Sequence, residues 1–324
     1  MSTFENTEKI CTLADLREWN RAAPSFAVLG KPIAHSLSPA MHNRALAELA
    51  GTPEIRVPAG AEYFRFEIAP EELGEALPIF LEKKFLGLNL TLPHKVAVLP
   101  FLQGISPEAA RIGAANTLVA SANAENSGTK NSPKRDGWRG ENTDGRGFAR
   151  AVQMQLGRAL AGTPVVLLGA GGAARAIAAT ALAENCASLT IANRSRERRE
   201  ALADALRAHF PDFSEKIVAR APFGPADSPE DIPPRALIAN ATSLGLAPAD
   251  ASPFPPELLR ADCAVYDTTY AAAHTSALVA AARERGVPAA NGLAMLAWQG
   301  ALAFEIWTGV PATRAFPPMF AAIS

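Results

Sequence analysis

The run Gly169-Ala170-Gly171-Gly172-Ala173-Ala174 follows an apolar stretch, PVVLL at 164–168, and opens an alanine-rich one. No other feature restricts the fold as strongly. G-x-G-x-x-G/A between a strand and a helix is the turn of a βαβ unit whose helix N-terminus receives the pyrophosphate of a dinucleotide. The glycines permit the tight turn and let the backbone approach the phosphates, while Ala174 lets helix and strand pack closely. Unpaired N–H groups and the partial positive charge of the helix end complete the anion site. An ordinary glycine-rich turn is the bland alternative, and the flanking strand and helix weigh against it. Further strands are predicted at 188–192, 236–239 and 263–266, with helices over 172–184 and 196–208, so this region reads as a doubly wound parallel sheet.

The end of the next strand chooses the cofactor. A carboxylate there would bind the ribose hydroxyls of NAD and repel a 2′-phosphate. This chain has Ala192-Asn193-Arg194-Ser195-Arg196, with no acid before Glu197. Arg194 and Arg198 can clamp a 2′-phosphate through planar, charge-assisted hydrogen bonds, with Asn193 and Ser195 completing the pocket. A solvated first turn of a helix is the lesser alternative for the cluster read alone; next to the glycine turn it favours NADP.

The chain has 324 residues, 48% of them hydrophobic, enough for two domains with separate cores. Lysine plus arginine (31) nearly cancels aspartate plus glutamate (32), which argues against nucleic acid or an anionic membrane and for a small-molecule partner. Cys11, Cys186 and Cys263 are scattered, and no histidine has metal-ligand spacing, so neither a disulfide framework nor a metal site is expected. No apolar run reaches the roughly 20 residues of a membrane helix, and the N-terminal residues lack the pattern of a signal peptide. A soluble, cytoplasmic protein is expected.

Residues 1–23 read as an N-terminal extension with a weakly helical stretch at 13–19. The apolar run 25–30 (SFAVLG) reads as a buried strand. A helix over 39–49 follows, with Ser38 as N-cap and Pro39 in its first position. Strands at 65–68, 87–90 and 116–119, with a helix over 71–83, make this an α/β domain. Residues 121–140, rich in Asn, Ser, Gly, Lys and Pro, read as an exposed hairpin tip or loop, whose Lys130, Lys134, Arg135 and Arg139 are solvated rather than an anion site. Helices over 145–156 and 293–308 complete the pattern.

Six motifs occur in order: Ser36-Leu-Ser38-Pro39, Asn89-Leu-Thr91-Leu-Pro93-His-Lys95, Gly113-Ala-Ala-Asn116-Thr117, Asn142-Thr143-Asp144-Gly145, Asn240-Ala-Thr-Ser-Leu-Gly245 and Gln299-Gly300. Together they resemble the motif set of the shikimate dehydrogenase family, over about residues 26–318. The resemblance implies an NADP-dependent oxidoreductase that reversibly reduces 3-dehydroshikimate to shikimate, on the route to chorismate and aromatic amino acids. It implies a substrate domain at 24–143 plus 292–324 and a Rossmann-type NADP domain at 144–291, with the active site in the cleft and closure excluding water.

By the same resemblance Lys95 and Asp144 are the catalytic pair. An unperturbed lysine holds its proton too tightly to act as a base, and burial and a nearby carboxylate push it in opposite directions, so proton transfer and electrostatic orientation both stay open for Lys95. Ser36 and Ser38 resemble the hydroxyls that bind the substrate carboxylate. Asn89, Thr91, Asn116, Asp144 and Gln299 resemble the groups that read ring hydroxyls, with Lys95 beside them. Tyr270 matches a tyrosine near the carboxylate, although the usual Tyr-x-Pro is here Tyr270-Ala-Ala272. Thr242, Ser243 and Gly292 resemble contacts at the nicotinamide end. Quinate is the rival substrate, a non-catalytic NADP-sensing protein is the rival class, and monomer and homodimer both stay open.

Overall fold

The computed structural model describes residues 9–53, 55–56, 59–120, 137–270 and 274–324. These form two compact units, Met1–Thr143 with Gln299–Ser324, and Asp144–Trp298.

In the first unit the chain runs β1 (Ile10–Cys11), α1 (Leu13–Arg17), β2 (Ser25–Gly30), α2 (Ser38–Leu49), β3 (Glu62–Glu67), α3 (Leu73–Glu82), β4 (Phe85–Leu90) and α4 (His94–Ala97). It continues with β5 (Gly104–Ile105), α5 (Pro107–Ile112), β6 (Thr117–Ala120) and β7 (Trp138–Glu141). The sheet order is β1-β3-β2-β4-β6-β7-β5. β2 lies between parallel partners β3 and β4 and is buried at every residue, as its unbroken apolar run requires of a strand covered on both faces. β6 runs antiparallel to both β4 and β7. Phe80 packs edge-on against Phe66 and Phe85 in the core, with ring centroids 5.0 and 4.7 Å away.

The N-terminal extension joins this unit: β1 pairs with β3, and Thr12 and Asp15 form a capping box that starts α1, whose Leu13 and Leu16 enter the core. Two expectations for the unit are corrected. Ser38 is not an N-cap. It is already the first helical residue, and the helix carries no side-chain cap bond. The expected loop at 121–140 ends early, because residues 138–140 belong to β7 and Trp138 is a core residue whose indole N–H donates to Leu77 O at 2.9 Å. Residues 121–136, including Lys130, Lys134 and Arg135, lie outside the described residues.

The second unit opens with α6 (Asp144–Leu156) and continues through β8 (Pro164–Leu168), α7 (Gly172–Ala183), β9 (Ser188–Ala192), α8 (Arg196–His209), β10 (Ile217–Arg220) and β11 (Leu237–Asn240). Then come β12 (Ala264–Asp267), α9 (Ala277–Glu284) and β13 (Ala289–Ala290). Its six strands are all parallel in the order β10-β9-β8-β11-β12-β13. Counted within the unit this is 3-2-1-4-5-6, the dinucleotide-binding order, whose crevice lies at the carboxyl ends of the paired strands β8 and β11, where the order reverses. α10 (Leu293–Thr308) begins here and continues into the first unit, so the division falls inside this helix rather than ahead of it at 291/292. α11 (Ala312–Ala321) then packs on α2. Gly300 makes room for that layer: a Cβ there would stand 3.1 Å from Met41 Cε.

All three cysteines are free and buried. Among the described residues there is no cluster of metal-ligating side chains, and no helix is long and apolar enough to cross a membrane.

Candidate functional site

In the second unit the glycine turn connects β8 to α7. Gly169 has φ +112, and a Cβ on it would lie 2.8 Å from Ala241 O, so both conformation and space demand glycine. Gly171 differs: a Cβ there would meet nothing within 4 Å. α7 starts at Gly172 with no side-chain cap bond and no acidic residue in its first turn, which leaves its first N–H groups toward that open space. Ala170, Gly172 and Ala173 are partly exposed around it, while Ala174 is buried against the sheet. The turn therefore has the shape and polarity a pyrophosphate needs.

At the end of β9, Asn193 Nδ2 donates to Ser195 O at 3.1 Å, and Ser195 Oγ accepts from Arg198 N at 3.3 Å as the cap of α8. Arg199 Nη1 donates to Asn193 O at 3.0 Å. These contacts shape the loop. The exposed guanidinium groups of Arg194 and Arg198 have no partner among the described residues, leaving two cations available to an anion.

Across the crevice, Asn240 Nδ2 donates to Asp267 Oδ1 at 2.9 Å and to Leu244 O at 2.9 Å. Its Oδ1 accepts from Thr242 N at 3.0 Å and Thr242 Oγ1 at 2.7 Å. Thr242 thus spends its proton on the turn itself, whereas Ser243 is exposed. Asp267, a residue that sequence reasoning missed, braces the next turn by accepting from Thr269 N and Oγ1 at 2.9 and 2.8 Å and from Ser276 Oγ at 2.6 Å. Tyr270 follows, partly buried, and burial pushes its phenol up to about 12. Its neighbours at 271–273 lie outside the described residues. Gly292 is buried so tightly that a Cβ would stand 2.1 Å from Thr268 O. Asp144 begins α6 and is 3% exposed. The next residue, Gly145, holds that helix against α7, since a Cβ there would overlap Thr180 Oγ1.

In the first unit the polar residues gather at the C-terminal end of β4 and the start of β6. Lys95 sits in α4, partly exposed, and its main-chain O accepts from Ala115 N at 2.8 Å, which ties the lysine turn to the segment carrying Asn116. His94 beside it is fully buried with Nε2 2.8 Å from Ile68 O; burial lowers its pKa, partly offset by that carbonyl. Its contact anchors the turn, so the histidine is structural. Thr91 N donates to Leu29 O at 2.9 Å, leaving the side chain partly exposed.

Asn116 accepts at Oδ1 from Thr143 N at 2.8 Å and donates from Nδ2 to Thr143 Oγ1 at 2.9 Å and to Gln299 Oε1 at 3.4 Å. Gln299 and Asn116 are thus brought together. Asn89 is turned inward: it accepts from Tyr63 Oη at 2.8 Å and donates to Thr117 Oγ1 at 3.1 Å and Asn116 O at 3.3 Å. Both its N–H groups are thus given to protein acceptors. Ser36 Oγ accepts from Ser38 N at 3.4 Å, and Ser38 is buried beside the Tyr63 phenol. Tyr63, Thr117 and Thr143 were missed from the sequence because their roles arise across strands.

Family models cover the chain in three parts: a shikimate dehydrogenase substrate binding domain over 28–118, a shikimate/quinate 5-dehydrogenase over 150–217, and a shikimate 5′-dehydrogenase C-terminal domain over 292–315. A shikimate dehydrogenase (NADP(+)) of Moorella thermoacetica is 40% identical over 284 residues, 87% of this chain and 87% of its own. A shikimate dehydrogenase solved in complex with NADP+ matches with TM-score 0.77 and 30% identity, over 94% of this chain and 97% of that one. The shikimate 5-dehydrogenase of Thermus thermophilus, solved with NADP(H) and shikimate, matches with TM-score 0.70 and 34% identity, over 92% and 99%.

Proposed function

The chain belongs to the shikimate dehydrogenase family, and we propose that it catalyses the reversible, NADP-dependent reduction of 3-dehydroshikimate to shikimate, in the cytoplasm, as a monomer or homodimer. It is an NADP-dependent oxidoreductase, and its product lies on the route to chorismate and the aromatic amino acids. The observation that carries the reading is the bond from Ala115 N to Lys95 O. It makes the ammonium-bearing turn and the Asn116 amide one rigid piece, which is what positioning a polyhydroxylated ring beside a proton donor requires.

NADPH, when bound, supplies the hydride. Gly169, Gly171 and Gly172, with Ala170 and Ala173, hold its pyrophosphate on the N-terminus of α7, and Arg194 and Arg198 hold the 2′-phosphate in the loop shaped by Asn193 and Ser195. Ser243 and the turn braced by Thr242, together with Gly292, bound the nicotinamide end. Lys95 Nζ gives a proton to the alcohol oxygen as the ketone is reduced and receives it in the reverse direction, and the Asp144 carboxylate is the second catalytic group. Ser36 and Ser38, at the start of α2, and the neutral Tyr270 phenol hold the ring carboxylate. Thr91, Asn116 and Gln299 meet ring hydroxyls; Asn89 supports Asn116 instead of touching substrate.

Quinate stays the rival, since one matching family model carries both names. Initial rates for shikimate and quinate, each with NADP and NAD, test the assignment. Shikimate with NADP is expected to have the highest kcat/KM. A preference for quinate with NAD overturns the proposal, and binding of NADP without turnover of any pair favours the non-catalytic alternative.

A further inference from the structure

Four side chains of the first unit form a hydrogen-bonded line from Tyr63 to Asn116. Asn116 O can only accept, so Asn89 presents its NH2 to it at 3.3 Å and turns Oδ1 toward Tyr63. The phenol must then donate to that oxygen, at 2.8 Å. Asn89 Nδ2 also donates to Thr117 Oγ1 at 3.1 Å, and the Thr117 proton passes to Asn116 Oδ1 at 3.0 Å. With Oδ1 taken by Thr117 and by Thr143 N, Asn116 is left facing Thr143 and Gln299 with its NH2.

Tyr63 is built rigidly into this line. It is 0% exposed, its N donates to Asn43 Oδ1 at 2.8 Å, and its O accepts from Asn43 Nδ2 at 2.9 Å. Its ring stacks on His42, with centroids 4.2 Å apart and planes within 3°. Both clamps come from α2, the helix that begins at Ser38. Burial raises the phenol well above its ordinary range, so it stays a donor at any working pH. Packing and stacking would be met equally by phenylalanine; the hydroxyl serves Asn89 and also meets the Ser38 side chain, an effect that would persist in an Asn116 variant.

We propose that Tyr63 is a positioning residue for the substrate: its O–H holds the Asn89 amide and, through Thr117, the Asn116 amide, so that the N–H which Asn116 gives to Gln299 Oε1 at 3.4 Å is the one that turns to a ring hydroxyl oxygen when substrate binds. The proposal rests on reading Asn116 as a substrate contact. It makes the hydroxyl at this subsite an acceptor from Asn116 whose own proton must go elsewhere, which sets a polarity requirement on any ring that binds.

The test is Tyr63→Phe, alone and combined with Asn116→Ala. In the single variant KM for shikimate rises about tenfold, the scale of one hydrogen bond. Turnover stays within about twofold and KM for NADP is unchanged. In the Asn116→Ala background the same change alters KM for shikimate less than about twofold, because the effect has lost its route. Wild-type KM in Tyr63→Phe, or an equal penalty in both backgrounds, overturns the proposal. A second readout needs no turnover: with asparagine labelled by ¹⁵N, the side-chain amide signals of Asn89 and Asn116 both move in Tyr63→Phe. Movement of Asn89 alone refutes the relay. A wild-type chain inactive on shikimate would remove the proposed reaction and leave the amide signals to judge the relay.

Discussion

Lys95 is held by its backbone at two places, the Ala115 bond to its carbonyl and the buried His94 beside it, while its side chain stays accessible. Removing the side chain therefore leaves the turn intact. Lys95→Ala is expected to lower kcat by about 10²- to 10⁴-fold, the range of a positioned proton donor, with NADP affinity nearly unchanged by titration of the cofactor's fluorescence. Near-normal turnover would take Lys95 out of the mechanism. Arg194 is the opposite case, a cation with no partner of its own among the described residues. Arg194→Ala should weaken NADP by roughly tenfold or more, as for a hydrogen bond to a charged group, and leave KM for NAD and shikimate unchanged. An equal loss with NAD means that the arginine does not read the 2′-phosphate. Arg194 stands out in the sequence by its place after the strand that follows the glycine turn, a local signal, whereas Lys95 stands out only through the motif resemblance. Tyr63 was not: within EYFRFE it looks like one more strand aromatic, and its partner Asn89 is two strands away, beyond β2. The direction of the Asn89 amide was not legible for the same reason, since nothing in its own motif tells which way it points.

Elements were legible in proportion to how much of their pattern is local. β2, β8, β9 and α10 fall at the residues their apolar runs predict. The two-residue strands β1, β5 and β13 carry too few side chains to show a period, and exist only because a neighbouring strand offers hydrogen bonds. α11 was hidden by Pro317 and Pro318, which remove two helical donors inside it. The glycine turn gives a prediction at this scale, because its first two glycines serve different ends. Gly169→Ala puts an L residue at φ +112 and a methyl 2.8 Å from Ala241 O. It should cost about 1–3 kcal/mol in urea unfolding as well as impair NADP binding. A Cβ on Gly171 would meet no protein atom within 4 Å, so Gly171→Val should unfold like wild type yet lose NADP binding. A Gly171→Val protein that binds NADP normally would mean that the pyrophosphate does not occupy this turn.

For the molecule as a whole, proton uptake on unfolding ties the first unit's core to pH. His42 is 1% exposed, neither ring nitrogen has a hydrogen-bond partner among the described residues, and burial lowers its pKa to about 3. The unfolded chain holds this group near 6.5, so below that pH the unfolded state binds a proton that the folded state refuses. Above pH 6.5 both states are neutral there and the group contributes no slope. Between about pH 6.5 and 5, His42 alone should lower stability by roughly 1.5 kcal/mol, and the loss continues until the folded pKa is reached. His94, also lowered by burial, acts with the same sign, while Glu184, raised by burial, acts against it. Asp15, held at about 2 chiefly by Lys9, acts only at lower pH and leaves this window clear. Trp19, Trp138 and Trp307 lie in the first unit and only Trp298 in the second, so tryptophan fluorescence follows mainly the unit that contains His42. His42→Phe keeps a ring against Tyr63 and removes the titration. Urea unfolding by fluorescence at about pH 6.5 and 5 should then show the variant losing roughly 1.5 kcal/mol less than wild type over that step. Equal losses would place the refused proton on another group and leave His42 as packing alone.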